Sequence, residues 1–376
     1  GFLTKYIYDD EVEEINCNGW NDIEIITSNG WSKIDEHFLT PLQCIDMTKK
    51  MCQLGGVIID GSQPTQDSFI TQGVRISAII PPCIDEAVGA VFSIRKQKNN
   101  VITKQQLIDW DTATEEELDL LTLCISHGVS IGIAGSTGSG KTTDIGFILR
   151  SIPYDKRIYS IEDSRELNLQ VKDENGKILN RVIHTKTRPS QNPAQNVSAD
   201  VLLKKSLRFD PQIIVPAEMR GEEAMTAQEA GRTGHTIITS LHASTALAAY
   251  TRILTMCMMS GTKLSEELML KLIIEAYPIM AFKMQLPDKS RKYMKIIEAE
   301  DYRDGGIIYR TLYKYVITDR IMNKDGTQID KMVGYHKKVS NISSRLANIL
   351  LENGADLQTI HRFAGENWSP EADTEG

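Results

Sequence analysis

The stretch Gly135-Ser136-Thr137-Gly138-Ser139-Gly140-Lys141-Thr142 decides how this chain is read. It satisfies G-x-x-x-x-G-K-[ST] at every fixed position, and its flanks supply the context that the motif requires. Before it, Val129-Ser130-Ile131-Gly132-Ile133-Ala134 has the apolar run of a buried strand. Behind it, Ile145, Ile148, Leu149 and Ile152 recur at helical spacing. Strand, glycine loop and helix together predict a phosphate site, because backbone N–H groups and a helix amino terminus then face an anion. Gly138 and Gly140 supply the dihedral freedom that close approach to a triphosphate demands. Lys141 would reach the β- and γ-phosphates as a point charge, and the Thr142 hydroxyl would ligate a Mg²⁺ that bridges them. The candidate ATP-binding set is Gly135, Ser136, Thr137, Gly138, Ser139, Gly140, Lys141, Thr142 and Thr143.

A chain of 376 residues has material for two or three domains and a sizeable core. With 41% hydrophobic and 24% charged residues it reads as a soluble globular protein. The net charge of −8 disfavours a sequence-independent grip on nucleic acid as a property of the whole surface, though not a local basic channel. The six cysteines (Cys17, Cys44, Cys52, Cys83, Cys124 and Cys257) form no C-x-x-C pair and no metal-ligand spacing. They are expected as buried small apolar residues in a reducing compartment. The apolar stretch 268–284 is broken by Lys271, Glu275, Pro278 and Lys283, which excludes a membrane span there. The chain opens on Gly1 rather than Met, which leaves room for an upstream segment.

From residue 2 to about 97, short β-branched or alternating runs predict strands: Ile23-Glu24-Ile25-Ile26, Val57-Ile58-Ile59, Phe69-Ile70, 74–80 and 91–95. One helix is expected over 40–53, so this part reads as a small α+β domain. The polar run Lys96-Gln97-Lys98-Asn99-Asn100 is the candidate linker. The division expected is an amino-terminal domain over 1–98, a linker over 99–112 and an ATPase domain over 113–376. Thr112 with Glu115, and Thr114 with Glu117, each offer a capping box before a helix carrying Leu118, Leu121 and Ile125. Beyond the phosphate loop, strands are expected at 157–161, 182–184, 213–215 and 236–241. Helices are expected at 199–207, capped by Ser198, and at 222–230, stopped by Gly231. Such alternation argues for a mostly parallel sheet with helices on both faces. The final third is expected to be helical to residue 284, followed by a hairpin around 307–327 and a helix over 343–351.

In parallel α/β sheets ligands sit at the carboxyl ends of strands. Glu162 and Asp163 end one predicted strand, Glu218 follows another and His242 a third. Phosphoryl transfer to water needs a group that positions or deprotonates the nucleophile and a carboxylate that holds Mg²⁺ or its waters. Glu162 suits the first role and Glu218 the second. Taken singly, an acidic residue after a strand is as readily a helix cap or a solvated charge, and His235 and His242 are as readily structural.

Four segments carry a resemblance: G-S-T-G-S-G-K-T, I-E-D-S-R-E-L (161–167), L-R-F-D-P-Q-I-I-V-P-A-E-M-R (207–220) and T-G-H-T-I-I-T-S-L-H-A (233–243). They resemble, in order, the Walker A, Asp, Walker B and His boxes of the type II/type IV secretion ATPase superfamily. Glu14-Ile15-Asn16-Cys17-Asn18-Gly19, and 73–82 followed by Ile94-Arg95, resemble its amino-terminal part. The combination is most similar to CpaF-like ATPases of Tad pili, over about residues 1–285.

The resemblance implies a RecA-like P-loop NTPase domain, a smaller α+β (PAS-like) amino-terminal domain, and a homohexamer with nucleotide held between the two domains. It implies Glu162 as the catalytic glutamate, Glu218 as the Walker B acid, and His242 with His235 as sensors of the γ-phosphate. Arg75 and Arg95 match amino-terminal arginines that reach the triphosphate when the domains close, where a guanidinium neutralises developing charge. Arg208 and Arg220 flank the Walker B strand and are candidates to act across the ring. ATP and Mg²⁺ are the implied cofactors, an integral membrane platform protein the implied partner, and the cytoplasmic face of the membrane the implied location. Pro216-Ala217 stands where the family has a small apolar residue and glycine, and Ser240 where a threonine is common. The tetracysteine zinc module of many relatives is missing, so no structural metal is expected. Two other readings remain beside the secretion motor: a RecA-like nucleic-acid motor, which the acidic balance and lack of a basic, aromatic-rich stretch disfavour, and a nucleotide-gated scaffold without turnover.

Overall fold

The structure is a computed structural model that describes residues 1–27, 30–71, 73–96, 101–188 and 193–370. The chain divides into two compact units, 1–100 with 164–166, and the remainder.

In chain order the smaller unit contains α1 (Leu3–Tyr8), β1 (Val12–Gly19), β2 (Asp22–Thr27), β3 (Gly30–Lys33), α2 (Pro41–Leu54), β4 (Thr65–Thr71), β5 (Val74–Ile79) and β6 (Val91–Lys96). Its strands form one antiparallel sheet in the order β3-β2-β1-β6-β5-β4. Strand β5 shows how sequence becomes a layer. Val74, Ile76 and Ala78 are buried while Arg75 and Ser77 are exposed, the period of two that puts alternate side chains on opposite faces. Helix α2 begins at Pro41, after Thr40 whose hydroxyl accepts from the Gln43 N–H, and buries Cys44, Thr48, Met51 and Cys52.

The strand expected at 57–59 does not form. The Val57 N–H bonds back to the Cys52 carbonyl at the end of α2, and Asp60 and Gln63 close a turn immediately after. Cys83 is exposed, against the expectation that every cysteine is buried.

The larger unit contains α3 (Lys104–Asp109), α4 (Glu115–Ser126), β7 (Ile131–Gly135), α5 (Lys141–Ser151), β8 (Arg157–Glu162), β9 (Arg181–Lys186), α6 (Ala199–Ser206), β10 (Ile213–Pro216), α7 (Glu223–Arg232) and β11 (Thr236–Leu241). It continues with α8 (Ala246–Met259), α9 (Glu266–Ala276), β12 (Ile279–Gln285), β13 (Arg291–Arg303), β14 (Gly306–Met322), β15 (Ile329–Lys338), α10 (Ser344–Glu352) and α11 (Leu357–Ala364). One mixed sheet runs β15-β14-β13-β12-β7-β11-β10-β8-β9. From β12 to β9 every pairing is parallel, and from β12 outward through β13, β14 and β15 it is antiparallel.

The inner parallel strands β7, β10 and β11 are buried on both faces, as crossover helices require, while β9 at the sheet edge is only partly covered. Ile213 and Val215 pack with α4, α5, α10 and α11 on one face. Ile214, between them, packs with α6 to α9 on the other. Among the described residues no helix is long and apolar enough to cross a membrane.

Four expectations are corrected here. The expected linker at 99–112 holds α3, capped by a Thr103–Gln106 box and anchored by buried Leu107; residues 99 and 100 lie outside those described. Of the two capping boxes before α4, Thr114 with Glu117 is the one formed. Helix α7 runs through Gly231 to Arg232, and the left-handed glycine that follows its end is Gly234. Residues 279–285 form a strand rather than the end of a helix. Packed between β7 and β13, β12 is apolar on both faces and shows no alternation in sequence.

Candidate nucleotide site

Four neighbouring parallel strands deliver the predicted groups at their carboxyl ends: β7 the phosphate loop, β11 His242, β10 Glu218 and β8 Glu162. The loop is a cradle that only glycine fits at its first position. A Cβ on Gly135 would lie 2.1 Å from the Lys283 carbonyl oxygen of β12. Gly138 and Gly140 take φ of 77° and 85°, the left-handed region that favours glycine. Helix α5 starts one residue later, so its unpaired N–H groups open into the loop.

Lys141 is buried, and its Nζ donates to the Gly135 and Ser136 carbonyls at 3.0 and 2.9 Å. Burial pushes its ammonium below the ordinary lysine range; Glu218 pulls the other way and Lys283 adds to the drop. A buried cation compensated mainly by loop carbonyls, beneath a helix amino terminus, fits a polyphosphate anion. Thr142 follows it half-buried in the first turn, and Thr143 is exposed.

The loop rests on a second charge layer that the motif does not announce. Asp144 and Lys283 are fully buried and form an ion pair of 2.6 Å. Burial pushes the Lys283 ammonium down, with Asp144 opposing. From the first residue of β13, Arg291 donates its Nε–H to the Gly138 carbonyl at 2.7 Å and so clasps the loop from above the pair. In sequence Lys283 reads only as the charge that interrupts an apolar run; a lysine inside a strand without alternation is the signal that could have found it.

Glu218 is half-buried and gripped by Arg220 in bidentate fashion, Nε to Oε1 at 2.8 Å and Nη2 to Oε2 at 2.7 Å. His242 Nε2 lies 3.3 Å from Oε1. Burial pushes the Glu218 carboxyl up, but Arg220, His242 and Lys141 outweigh it and hold it below the usual carboxylate range. Arg220 also reaches Asp163 at 3.3 Å, whose other oxygen accepts from the Thr187 hydroxyl. Arg220 is thus engaged by carboxylates of its own chain. Pro216 does not break the strand. The Ala217 N–H bonds to the Ile161 carbonyl, and Ser240 donates both its N–H and its hydroxyl to the Ala217 carbonyl.

Glu162 is buried, its Oε2 accepting from the Leu167 N–H at 2.7 Å and its Oε1 from the Ser160 hydroxyl at 3.2 Å. His235 is separated from these groups. It precedes β11, with its Nδ1 3.0 Å from the Pro211 carbonyl, whereas His242 follows the strand. Seven residues of extended chain set the two roughly 23 Å apart, so His235 cannot share a phosphate with His242. In the smaller unit Arg75 and Arg95 are exposed and face each other directly across β5 and β6. Arg75 also pairs with Asp67 at 3.2 Å.

The chain is 30% identical over 203 residues to an uncharacterized protein of Methanocaldococcus jannaschii, covering 54% of this chain and 35% of that one. It therefore spans about a third of that relative's length. It is 29% identical over 237 residues to the conjugal transfer protein TrbB of Rhizobium radiobacter, covering 62% of this chain and 67% of TrbB. In fold it is similar to the pilus retraction motor PilT, solved with bound ADP, at a TM-score of 0.56 and 19% identity over 82% of this chain and 80% of that one. The model of the family described as Type II/IV secretion system protein matches residues 1–285, and the chain belongs to that family.

Proposed function

We propose that this chain binds ATP on the phosphate loop and hydrolyses it, as a subunit of a homohexameric motor that powers secretion, pilus assembly or conjugation. The observation that carries the reading is Lys141, buried in a glycine cradle at a helix amino terminus, with its ammonium on loop carbonyls and Glu218 close enough to raise its proton affinity. Membership of the secretion family supports the coupling to a secretion or pilus apparatus.

On this reading Lys141 exchanges loop carbonyls for β- and γ-phosphate oxygens. The Thr142 hydroxyl and Glu218 would hold Mg²⁺, which supplies charge neutralisation across those phosphates. Glu162 aligns and deprotonates the attacking water. His242, in contact with Glu218, senses whether the γ-phosphate is present. Arg75 and Arg95 supply positive charge to the triphosphate, and their different affinity for ATP and ADP is the free energy available to switch conformation. The motor would work at the inner face of the cell membrane against an integral membrane platform protein, its two-domain subunits using the smaller unit as the moving partner.

The test is phosphate release and nucleotide binding by the purified chain. Lys141→Ala should abolish both, and Glu162→Gln should lose turnover by about 100-fold or more while still binding ATP. Undiminished release by Glu162→Gln would remove that residue from the chemistry. Stimulation by single-stranded DNA would favour a nucleic-acid motor instead.

A further inference from the structure

Three polar side chains meet on one face of the sheet beside Glu162. Ser160 and Glu162 are two residues apart on β8 and so point to the same face. Strand β9 pairs in parallel with Ser160 directly opposite His184, which brings the imidazole to that face as well. Ser160 Oγ lies 3.0 Å from His184 Nδ1 and 3.2 Å from Glu162 Oε1. His184 Nδ1 is 3.6 Å from Glu162 Oε1, too far for a direct bond, and both side chains are nine-tenths or more buried.

Proton counting orders the chain of contacts. A serine hydroxyl has one proton, and the carboxylate has none. If that proton serves Glu162, the Ser160 oxygen can only accept from His184, so Nδ1 must carry a hydrogen. In the neutral imidazole His184 Nε2 is then an acceptor, and it is buried without a hydrogen-bond partner among the described residues. A buried unpartnered imidazole nitrogen carries a cost of about 1–3 kcal/mol that a purely structural site would shed by substituting an apolar residue.

We propose that Ser160 and His184 are positioning residues for the water-activating carboxylate, forming the relay His184 Nδ1–H to Ser160 Oγ–H to Glu162 Oε1. Together with the Leu167 N–H on Oε2, the relay places a donor on each oxygen of Glu162 and so holds the plane of the carboxylate. The proposal rests on Glu162 being the base that activates water. Both act through the carboxylate rather than on the substrate.

The test is steady-state ATP hydrolysis by the full chain in six forms: wild type, Ser160→Ala, His184→Leu, His184→Asn, Glu162→Gln, and Ser160→Ala combined with Glu162→Gln. Ser160→Ala and His184→Leu should each lower kcat about 10- to 100-fold with KM for ATP unchanged. His184→Asn places an amide N–H near the position of Nδ1–H and should recover most of that loss, which a cavity effect would not. Because the relay acts through Glu162, Ser160→Ala should cost nothing further in the Glu162→Gln background. Wild-type kcat in Ser160→Ala and His184→Leu beside an inactive Glu162→Gln would overturn the relay and leave the base intact. A fully active Glu162→Gln, or a wild-type chain without turnover, would sink the underlying reading itself. If His184→Leu does not fold, Ser160→Ala alone decides.

Discussion

In the larger unit Lys141 and Glu162 are buried, Glu218 is half-buried, and each already has hydrogen-bond partners from its own fold. In the smaller unit Arg75 and Arg95 stand exposed on adjacent strands, one directly opposite the other. The first arrangement is held by its own fold, which on the proposed function would leave little of the site to organise when nucleotide binds. The second is looser, because like charges opposite each other in a sheet repel and the Arg75–Asp67 pair at the surface offsets that only in part. One set of charges is fixed by burial and hydrogen bonds, and the other stands in solvent.

The strongest way to break that contrast is to remove the support beneath the buried site. Lys283→Met leaves the Asp144 carboxylate buried and unpaired, and should cost about 3–5 kcal/mol of stability in denaturant unfolding. Asp144→Leu combined with Lys283→Met removes both charges and should restore most of it. Equal instability of the single and double variants would mean that packing, and not the ion pair, supports the loop.

A smaller effect sharpens the other side. Arg75→Ala and Arg95→Ala should each lower turnover about tenfold or more while leaving the smaller unit as stable as before, or up to about 1 kcal/mol more stable. Loss of thermal stability on either substitution would show the arginines to be structural.

The smallest expected effect is a control placed away from both sets. His336 is buried on β15 with Nδ1 2.9 Å from Glu117 Oε2. Burial pushes the imidazole down, but the Glu117 hydrogen bond and charge, with Asp111 adding, carry it above the ordinary histidine value. A group raised on folding stabilises fully below its unfolded value, near 6.5, and the benefit fades as pH climbs through the folded one. Melting temperature should therefore fall as pH rises above the ordinary histidine range. His336→Gln should flatten that dependence and leave KM for ATP unchanged.

How much of this was legible in sequence depended on how far apart the partners lie. The phosphate loop, its strand and its helix were readable because glycine positions, apolar run and helical period all fall within one short stretch. The rim at Glu162, Glu218 and His242 was readable because parallel strands place successive motifs on one edge. Strand β12 was not, since a strand buried on both faces has no alternation. The Lys283–Asp144 pair was not either: 139 residues separate its members, and no local pattern joins them. His184 escaped for the same reason, standing on a strand of its own with a single polar neighbour to explain it. His235 was misplaced because proximity in sequence across β11 is distance in space.

The clasp of Arg291 on the Gly138 carbonyl gives strand β13 a further consequence. That arginine is the first residue of a strand that runs to Arg303, a reach of roughly 40 Å, with register irregularities where it pairs with β12 and β14. The same strand therefore joins the Gly138 carbonyl at one end to the turn into β14 at the other. Any substitution that displaces Arg291 would thus be felt at two places in the larger unit, the phosphate loop and the β13–β14 hairpin.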